Sequence, residues 1–158
     1  MYNVFDMFEI PEDEIRQQAA KDSVTHFASG VAVVRDDKIL IVRRVPDDFM
    51  GGIWELPGGG IDDGETFANG VARELLEETG LKVTTTIGVF DGFDYQTPRK
   101  PKVRQVNVLV VVEPGEVILE PTEHDAHLWI TSEDIDGLQE TTDQMRTCLR
   151  DAFAALRT

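Results

Sequence analysis

Three carboxylates and one guanidinium are clustered in the middle of the sequence: Arg73, Glu74, Glu77 and Glu78. At 100° per residue, the three glutamates fall within about 100° of one face of a helix predicted from Thr66 to Gly80, with Arg73 on its flank. Two carboxylates about 6 Å apart repel by roughly 0.7 kcal/mol in water and by about 3 kcal/mol at an effective dielectric near 20. Such a face is therefore tolerated in solvent but needs a cation when it lines a cleft.

A glycine-rich segment precedes this helix directly. It reads Leu56-Pro57-Gly58-Gly59-Gly60-Ile61-Asp62-Asp63-Gly64-Glu65, and consecutive glycines let backbone groups approach a ligand closely. The segment ends in no Gly-Lys-Ser/Thr and contains no GxGxxG, so it is not a phosphate loop in its own right. From the residues alone, two interpretations stay open. One is a tight connection before a solvated acidic helix, and the other is a cation site between loop and helix.

Loop and helix together match a known motif. They read Gly59-x5-Glu65-x7-Arg73-Glu74-Leu75-Leu76-Glu77-Glu78-Thr79-Gly80-Leu81, which resembles the Nudix box at every fixed position over 23 of the 158 residues. The preceding Trp54-x-Leu56-Pro57-Gly58-Gly59 resembles the usual approach to that box. The resemblance implies an α/β protein with the Nudix fold, a mixed β-sheet sandwiched between α-helices. It also implies hydrolysis of a nucleoside diphosphate linked to a moiety X, with Mg²⁺ or Mn²⁺ as cofactor.

The resemblance assigns roles to individual residues. It implies that Glu74, Glu77 and Glu78 are metal ligands, together with the backbone carbonyl of Gly58. Carboxylates suit this role because hard divalent ions prefer oxygen ligands, and cations neutralise the phosphoryl oxygens that repel an attacking water. Glu74 is also the expected general base for that water. Arg73 is the expected orienting partner of the helix carboxylates, with Glu65 as its counter-ion.

The resemblance further implies a carboxylate from a later loop. Glu123, six residues before Trp129, matches that position ahead of the last short strand. Glu113, Glu116 and Glu120 are competing candidates, and an exposed loop acid without a role is the alternative interpretation of Glu123.

Substrate-binding residues are marked less clearly. Arg43 and Arg44, at the end of the second predicted strand, are placed either to reach substrate phosphate or on the surface. Arg99 belongs to the only basic cluster of the chain, for which a solvated hairpin is the favoured interpretation over phosphate or ribose binding; the cluster comprises Arg99, Lys100, Lys102 and Arg104. Tyr95 is a candidate to stack on a base. For Trp54, core packing is favoured over stacking.

Two further patterns limit the chemistry. His124-x-x-His127 is consistent with zinc binding, but surface or core histidines are favoured because the only cysteine, Cys148, lies in an unrelated predicted helix. The isomerase branch of the Nudix fold, which acts on isopentenyl diphosphate, needs a catalytic cysteine near the metal, and Cys148 is poorly placed for it. The sequence contains no GxSxG motif, which argues against a serine hydrolase.

The substrate is expected to be a small-molecule nucleotide. A nucleoside triphosphate, oxidised forms included, is the favoured substrate, and ADP-ribose or another nucleotide sugar is the alternative. The family's substrate markers lie roughly fifteen residues beyond the box, where Tyr95 is 14 and Pro98 is 17 residues past Leu81, so neither marker decides. A Nudix module that binds a nucleotide without cleaving it is a further alternative.

Composition sets the remaining expectations. The chain is 41% hydrophobic and 28% charged, which is typical of one globular domain, predicted at residues 23–158 after an N-terminal extension at 1–22. A net charge of −15 argues against a nucleic acid polymer as partner. Residues 1–14 lack a basic region and a long apolar run, so neither a signal peptide nor a membrane partner is expected. With one cysteine, these features favour a cytoplasmic protein, monomeric or homodimeric.

Hydrophobic periodicity and turn residues predict the elements that would position these groups. A short helix follows Pro11, and the segment Gly51 to Gly64 is a loop with at most one short strand. A capped helix runs between Thr66 and Gly80, and an amphipathic helix spans Thr141 to Leu156. The predicted strands are Phe27 to Val34, Ile39 to Val42, Lys82 to Phe90, Val103 to Val112, Val117 to Leu119 and Leu128 to Ile130.

Overall fold

The structure, a computed structural model, describes residues 8–98 and 101–157. Its helices and strands follow one another as α1 (Glu12–Lys21), β1 (His26–Arg35), β2 (Lys38–Arg44), β3 (Trp54–Glu55), α2 (Phe67–Thr79), β4 (Val83–Tyr95), β5 (Val103–Val112), β6 (His124–Ile130), a 3₁₀-helix (Ser132–Gly137) and α3 (Asp143–Leu156). Each helix of these described ranges is too short or too polar to cross a lipid bilayer.

The strands form one mixed sheet in the order β3-β2-β1-β5-β4, with β6 also paired to β2. β1 and β5 run parallel, and the other pairs are antiparallel. The β1–β2 hairpin turns at Asp36 and Asp37, which adopt φ angles of 53° and 62°. Two positive φ angles are typical of the tight turn whose twist matches the flanking strands.

Helices cover both faces of this sheet. Because side chains alternate along a strand, Val108 and Val110 of β5 pack into one core with α2, while Leu109 packs into a second core with α3. The α2 core contains the fully buried Leu75, and the α3 core contains the fully buried Leu149. The expected mixed sheet sandwiched between α-helices is thereby confirmed.

Helix α1 packs against the start of α2. The backbone N–H of Phe67 donates to the Glu12 carboxylate at 2.6 Å. The Arg16 guanidinium lies 4.5 Å from the centre of the Phe67 ring. The first N–H groups of a helix have no partner within it, so Glu12 supplies one that α2 lacks. Residues of the N-terminal segment therefore help to position the acidic helix.

The predicted bounds of α2 are confirmed. The Thr66 hydroxyl accepts a hydrogen bond from the N–H of Asn69, and Gly80 ends the helix with a φ of 72°. These are the usual signals for the beginning and end of a helix. The helix that follows Pro11 and the single short strand β3 within the glycine-rich loop are also confirmed.

The strand predicted at Val117 to Leu119 is wrong. These residues instead run beside the end of α2, where Ile118 N–H donates to the Thr79 carbonyl at 2.8 Å and Glu120 N–H donates to the Glu78 carbonyl at 3.1 Å. The last carbonyls of a helix need partners from outside it, and this segment supplies two of them. The loop is thereby held next to the acidic helix face.

Two strands extend well beyond their predicted bounds, and the sequence does not predict the 3₁₀-helix. β4 continues past Phe90 to Tyr95 because it pairs with the first half of β5, with register shifts that accommodate the irregular stretch between Phe90 and Phe93. β6 begins at His124 rather than at Leu128 because it pairs with the length of β2. Both extensions bring polar residues into the sheet.

Candidate functional site

The glycine loop is fixed to strand β1. Ser29 N–H donates to the Gly59 carbonyl, and Val31 N–H donates to the Pro57 carbonyl, both at 2.8 Å. Gly58 has a φ of 146°, a conformation open almost only to glycine. A Cβ at Gly58 would also overlap the backbone oxygen of Ser29. The loop therefore needs glycine here in order to lie so close to the sheet.

The first prediction concerns this glycine. We expect Gly58→Ala to lower the free energy of unfolding by about 1–3 kcal/mol or more. The new Cβ would overlap the backbone oxygen of Ser29, and the φ angle is strained for alanine. Gly60→Ala is the matched control, since a Cβ there has open space and the change should stay within about 0.5 kcal/mol. Urea denaturation of both variants measures the difference. Equal stabilities would contradict the described loop.

Two carboxylates of α2, one helical turn apart, converge on this loop. The N–H of Gly58 donates to Glu78 Oε2 at 2.9 Å. A Cβ built on Gly59 would lie 2.5 Å from Glu74 Oε2, so the Glu74 carboxylate lies directly against the loop. The Glu78 residue is 5% exposed. The structure thus brings together three of the expected metal ligands: Gly58, Glu74 and Glu78.

Arg73 connects the loop with the acidic helix face. Its guanidinium makes two parallel hydrogen bonds to the Glu65 carboxylate, at 2.7 and 2.8 Å, and a third to Glu74 at 3.0 Å. It also donates to the Gly60 carbonyl at 2.9 Å. Arg73 is 3.4 Å from Glu77, whose side chain is 59% exposed, so Glu77 lies on the same helix but outside the buried group. The Arg73 guanidinium lowers the pKa of Glu65 to about 2.

The two converging carboxylates are unfavourably placed as anions. Burial, with the neighbouring Glu123 and Glu74 carboxylates, raises the pKa of Glu78 well above its usual range, although the Gly58 N–H opposes this. Burial also raises the pKa of Glu74, and the Arg73 guanidinium partly offsets the effect. A cation between these groups would relieve both the desolvation and the repulsion.

Glu123 and His124 complete the cluster. One carboxylate oxygen each of Glu78 and Glu123 and one ring nitrogen of His124 lie within 4.8 Å of one another. His124 is 3% exposed, and its Nε2 is 2.9 Å from a carboxylate oxygen of Glu55. Sequence reasoning considered His124 only as part of a zinc pattern, for which a surface or core histidine was favoured, and it missed Glu55. The available signal was that His124 directly follows the candidate loop carboxylate.

The donors present fit a divalent cation. Carboxylate oxygens come from α2 and from the loop before β6. No donor in the described parts of the chain reaches the Gly58 carbonyl oxygen, which therefore remains available as a ligand. His124 Nδ1 is a buried polar atom with no hydrogen-bond partner among the described residues. Hard cations such as Mg²⁺ and Mn²⁺ prefer oxygen-rich sites of this kind.

A pocket of about 430 Å³ adjoins the cluster at Gly58 and Gly59. Arg44 and Tyr95, two of the predicted substrate-binding residues, line it. Ion pairs to Asp48 and Glu55 hold Arg44 in this position. Tyr95 is partly buried, and this burial raises the pKa of its hydroxyl. Three glutamines also belong to the pocket lining: Gln96, Gln105 and Gln144.

The other predicted substrate residues are not brought to this pocket. The Arg43 guanidinium pairs with Asp125 at 2.8 Å and lies 5.6 Å from the centre of the Trp54 ring, outside the pocket lining. Trp54 itself packs against the α3 core, as favoured from the sequence. Arg99 lies outside the described residues.

Comparison with known proteins finds similarity to two enzymes that are named for their action on nucleotides. Over 59 residues the chain is 42% identical to the 8-oxo-dGTP diphosphatase of Proteus vulgaris, covering 37% of this chain and 53% of that protein. Over 83 residues it is 35% identical to the ADP-ribose pyrophosphatase of Methanocaldococcus jannaschii, covering 51% of this chain and 46% of that protein. The chain thus matches about half the length of these curated relatives.

The fold has a close structural counterpart. The crystal structure of the MutT NUDIX hydrolase from Burkholderia pseudomallei aligns with a TM-score of 0.69 and 28% identity, over 80% of this chain and 96% of that one. A family model described as the NUDIX domain matches residues 24–152. That match includes the glycine loop, the acidic helix and the loop carboxylate, and the chain therefore belongs to the Nudix family.

Proposed function

We propose that the protein is a pyrophosphohydrolase that uses a divalent cation to cleave a phosphoanhydride bond of a nucleotide. One observation carries this proposal: the buried Glu78 carboxylate and the partly buried Glu74 carboxylate converge with the glycine loop at the edge of a nucleotide-sized pocket. The cluster is expected to bind a cation, and the reaction needs one. The phosphoryl groups around the attacked atom are anionic, and a cation neutralises them.

The residues divide the work as follows. Glu74, Glu77, Glu78, Glu123 and the Gly58 carbonyl would hold the ion. When bound, it would supply positive charge to the phosphoryl oxygens and lower the pKa of water. Glu74 accepts the proton of the attacking water, since it lies against the loop and its raised pKa suits a general base. Arg73 keeps the Glu74 carboxylate oriented through its hydrogen bond, and Glu65 holds Arg73.

We further propose that nucleoside triphosphates, oxidised forms included, are preferred over nucleotide sugars. Similarity to the 8-oxo-dGTP diphosphatase, the higher of the two identities, supports this order. Three glutamine amides in the pocket lining can both donate to and accept from the edge of a base. ADP-ribose is the second candidate, supported by similarity to the ADP-ribose pyrophosphatase over a longer stretch of this chain.

A panel of nucleotides tests the proposal. The protein is incubated with Mg²⁺ and each nucleoside triphosphate, 8-oxo-dGTP or ADP-ribose. We expect triphosphates to yield a monophosphate and inorganic pyrophosphate, rather than a diphosphate and inorganic phosphate. Faster formation of AMP and ribose 5-phosphate from ADP-ribose would reverse the proposed preference. Tight nucleotide binding without product at any Mg²⁺ or Mn²⁺ concentration would overturn hydrolysis and favour a binding module.

The remaining proposals concern context. We propose that the protein acts in the cytoplasm on small nucleotides rather than on nucleic acid polymers, as a monomer or a homodimer. The net charge of −15 and the single, buried cysteine support this setting. Residues 23–158 form the hydrolase domain in this proposal, and residues 1–22 precede it as an extension whose helix α1 supports α2.

A further inference from the structure

We propose that His124 is a nitrogen ligand of the divalent ion, so that this site favours Mn²⁺ over Mg²⁺. The proposal rests on the metal site of the proposed function and adds to it a residue outside the Nudix box. His124 is 3% exposed and belongs to the cluster with Glu78 and Glu123. One of its ring nitrogens lies within 4.8 Å of an oxygen of each carboxylate.

The contact with Glu55 determines which ring nitrogen is free. Nε2 of His124 is 2.9 Å from Glu55 Oε2. A carboxylate only accepts hydrogen bonds, so Nε2 carries the hydrogen, and the lone pair of the neutral ring is on Nδ1. Arg44 holds the same Glu55 oxygen from another direction at 3.2 Å. A histidine that donates one ring N–H to a fixed carboxylate is the usual arrangement of a metal-binding imidazole.

The free nitrogen lacks any other partner. Nδ1 of His124 is buried and receives no hydrogen bond from the described residues. Buried polar atoms are nearly always satisfied by a protein group, a water or an ion. The ring shares its cluster with the Glu78 and Glu123 carboxylates, which are themselves expected to bind a cation. An ion held by these carboxylates would also satisfy the imidazole.

The consequence is a change of metal preference. Mg²⁺ strongly prefers oxygen ligands, whereas transition metals such as Mn²⁺ accept imidazole nitrogen together with carboxylates. A site built from carboxylates alone gains little from replacing Mg²⁺ by Mn²⁺. With His124 among the ligands, Mn²⁺ gains an additional bond that Mg²⁺ uses poorly.

Pulsed electron paramagnetic resonance on the Mn²⁺-loaded protein tests the proposal. The chain has three histidines, so His26→Gln/His127→Gln leaves His124 as the only imidazole. Both replaced residues are exposed, and the buried ligand itself is unchanged. We expect nitrogen couplings of a directly bound imidazole that change when only histidine is labelled with ¹⁵N. Bound Mn²⁺ without such couplings would overturn the proposal while leaving the proposed function intact.

Metal titration of His124→Gln provides a second readout. We expect its Mn²⁺ affinity to fall about tenfold or more, with a smaller loss for Mg²⁺. Equal losses for both ions would contradict a nitrogen ligand and indicate a packing role. If this buried substitution prevents folding, the labelled double variant still decides. Failure of the native protein to bind Mn²⁺ at all would overturn both this proposal and the metal site of the proposed function.

Discussion

Glu74→Gln is expected to lower kcat by about 10²- to 10⁴-fold, the usual contribution of a general base. Glutamine keeps the size of the side chain and a hydrogen-bonding oxygen for Arg73, but it cannot accept a proton. Steady-state kinetics on the preferred nucleotide measures the effect. Glu116→Gln is the matched control, because Glu116 is an exposed acid outside the described cluster and should leave kcat unchanged.

The way in which the kinetic constants change separates the possible roles of Glu74. Loss of kcat with an unchanged circular dichroism spectrum is the result expected for a base. A raised KM with kcat unchanged would show that Glu74 contributes only to binding and would contradict its role as base. Restoration of kcat by a higher Mg²⁺ concentration would likewise assign Glu74 to metal binding alone.

Above the ordinary titration range of glutamate, Glu78→Gln is expected to make the metal-free protein more stable, and to abolish its stabilisation by Mg²⁺. Because the pKa of Glu78 is raised in the folded state, its contribution to stability is fully present below the unfolded pKa and is lost as the pH rises through the folded pKa. Glutamine remains neutral, so metal-free Glu78→Gln should lose less stability than the native protein above the ordinary glutamate range. A buried carboxylate that lacks an opposite charge and has only the hydrogen bond from the Gly58 N–H costs about 1–3 kcal/mol or more.

Thermal melts at several pH values, with and without Mg²⁺, measure this effect. Each kcal/mol corresponds to about 2–4 °C in Tm for a protein of this size. Glu77→Gln is the control on the same helix, because its side chain is 59% exposed and should not change the stability of the metal-free form. A metal-free Glu78→Gln that melts below the native protein at alkaline pH would contradict the buried, unfavourable carboxylate.

Local sequence signals were sufficient for the elements whose ends depend on neighbouring residues. Helix α2 begins at a threonine cap and ends at Gly80, and both features lie within its own sequence. The end of β4 was not predictable in the same way. Its last residues, up to Tyr95, pair with β5, and strand pairing depends on residues distant in sequence. The sequence therefore predicts a strand that ends at Phe90, although Tyr95 also lies in the sheet.

The candidate site shows the same difference between residues that are neighbours in sequence and residues that are distant in sequence. Glu74, Glu78 and Gly58 belong to one continuous motif, so their convergence could be expected from spacing. The pair of Glu55 and His124 joins residues 69 positions apart, and no periodicity indicates it.

The two arginines of β2 show a related limit. Successive side chains of a strand point to opposite faces, and only the paired strands determine which face forms the pocket. The structure places Arg44 in the pocket lining and directs Arg43 to Asp125.

A crystal structure of the Mn²⁺-soaked protein is the most direct test of the proposed metal site. Anomalous scattering locates Mn²⁺ without reference to any assumed ligand. The proposed site predicts a peak bound by the carboxylates of Glu74, Glu77, Glu78 and Glu123 and by the carbonyl of Gly58. A peak elsewhere on the acidic surface, with these carboxylates unliganded, would contradict the convergence of loop and helix on a single ion.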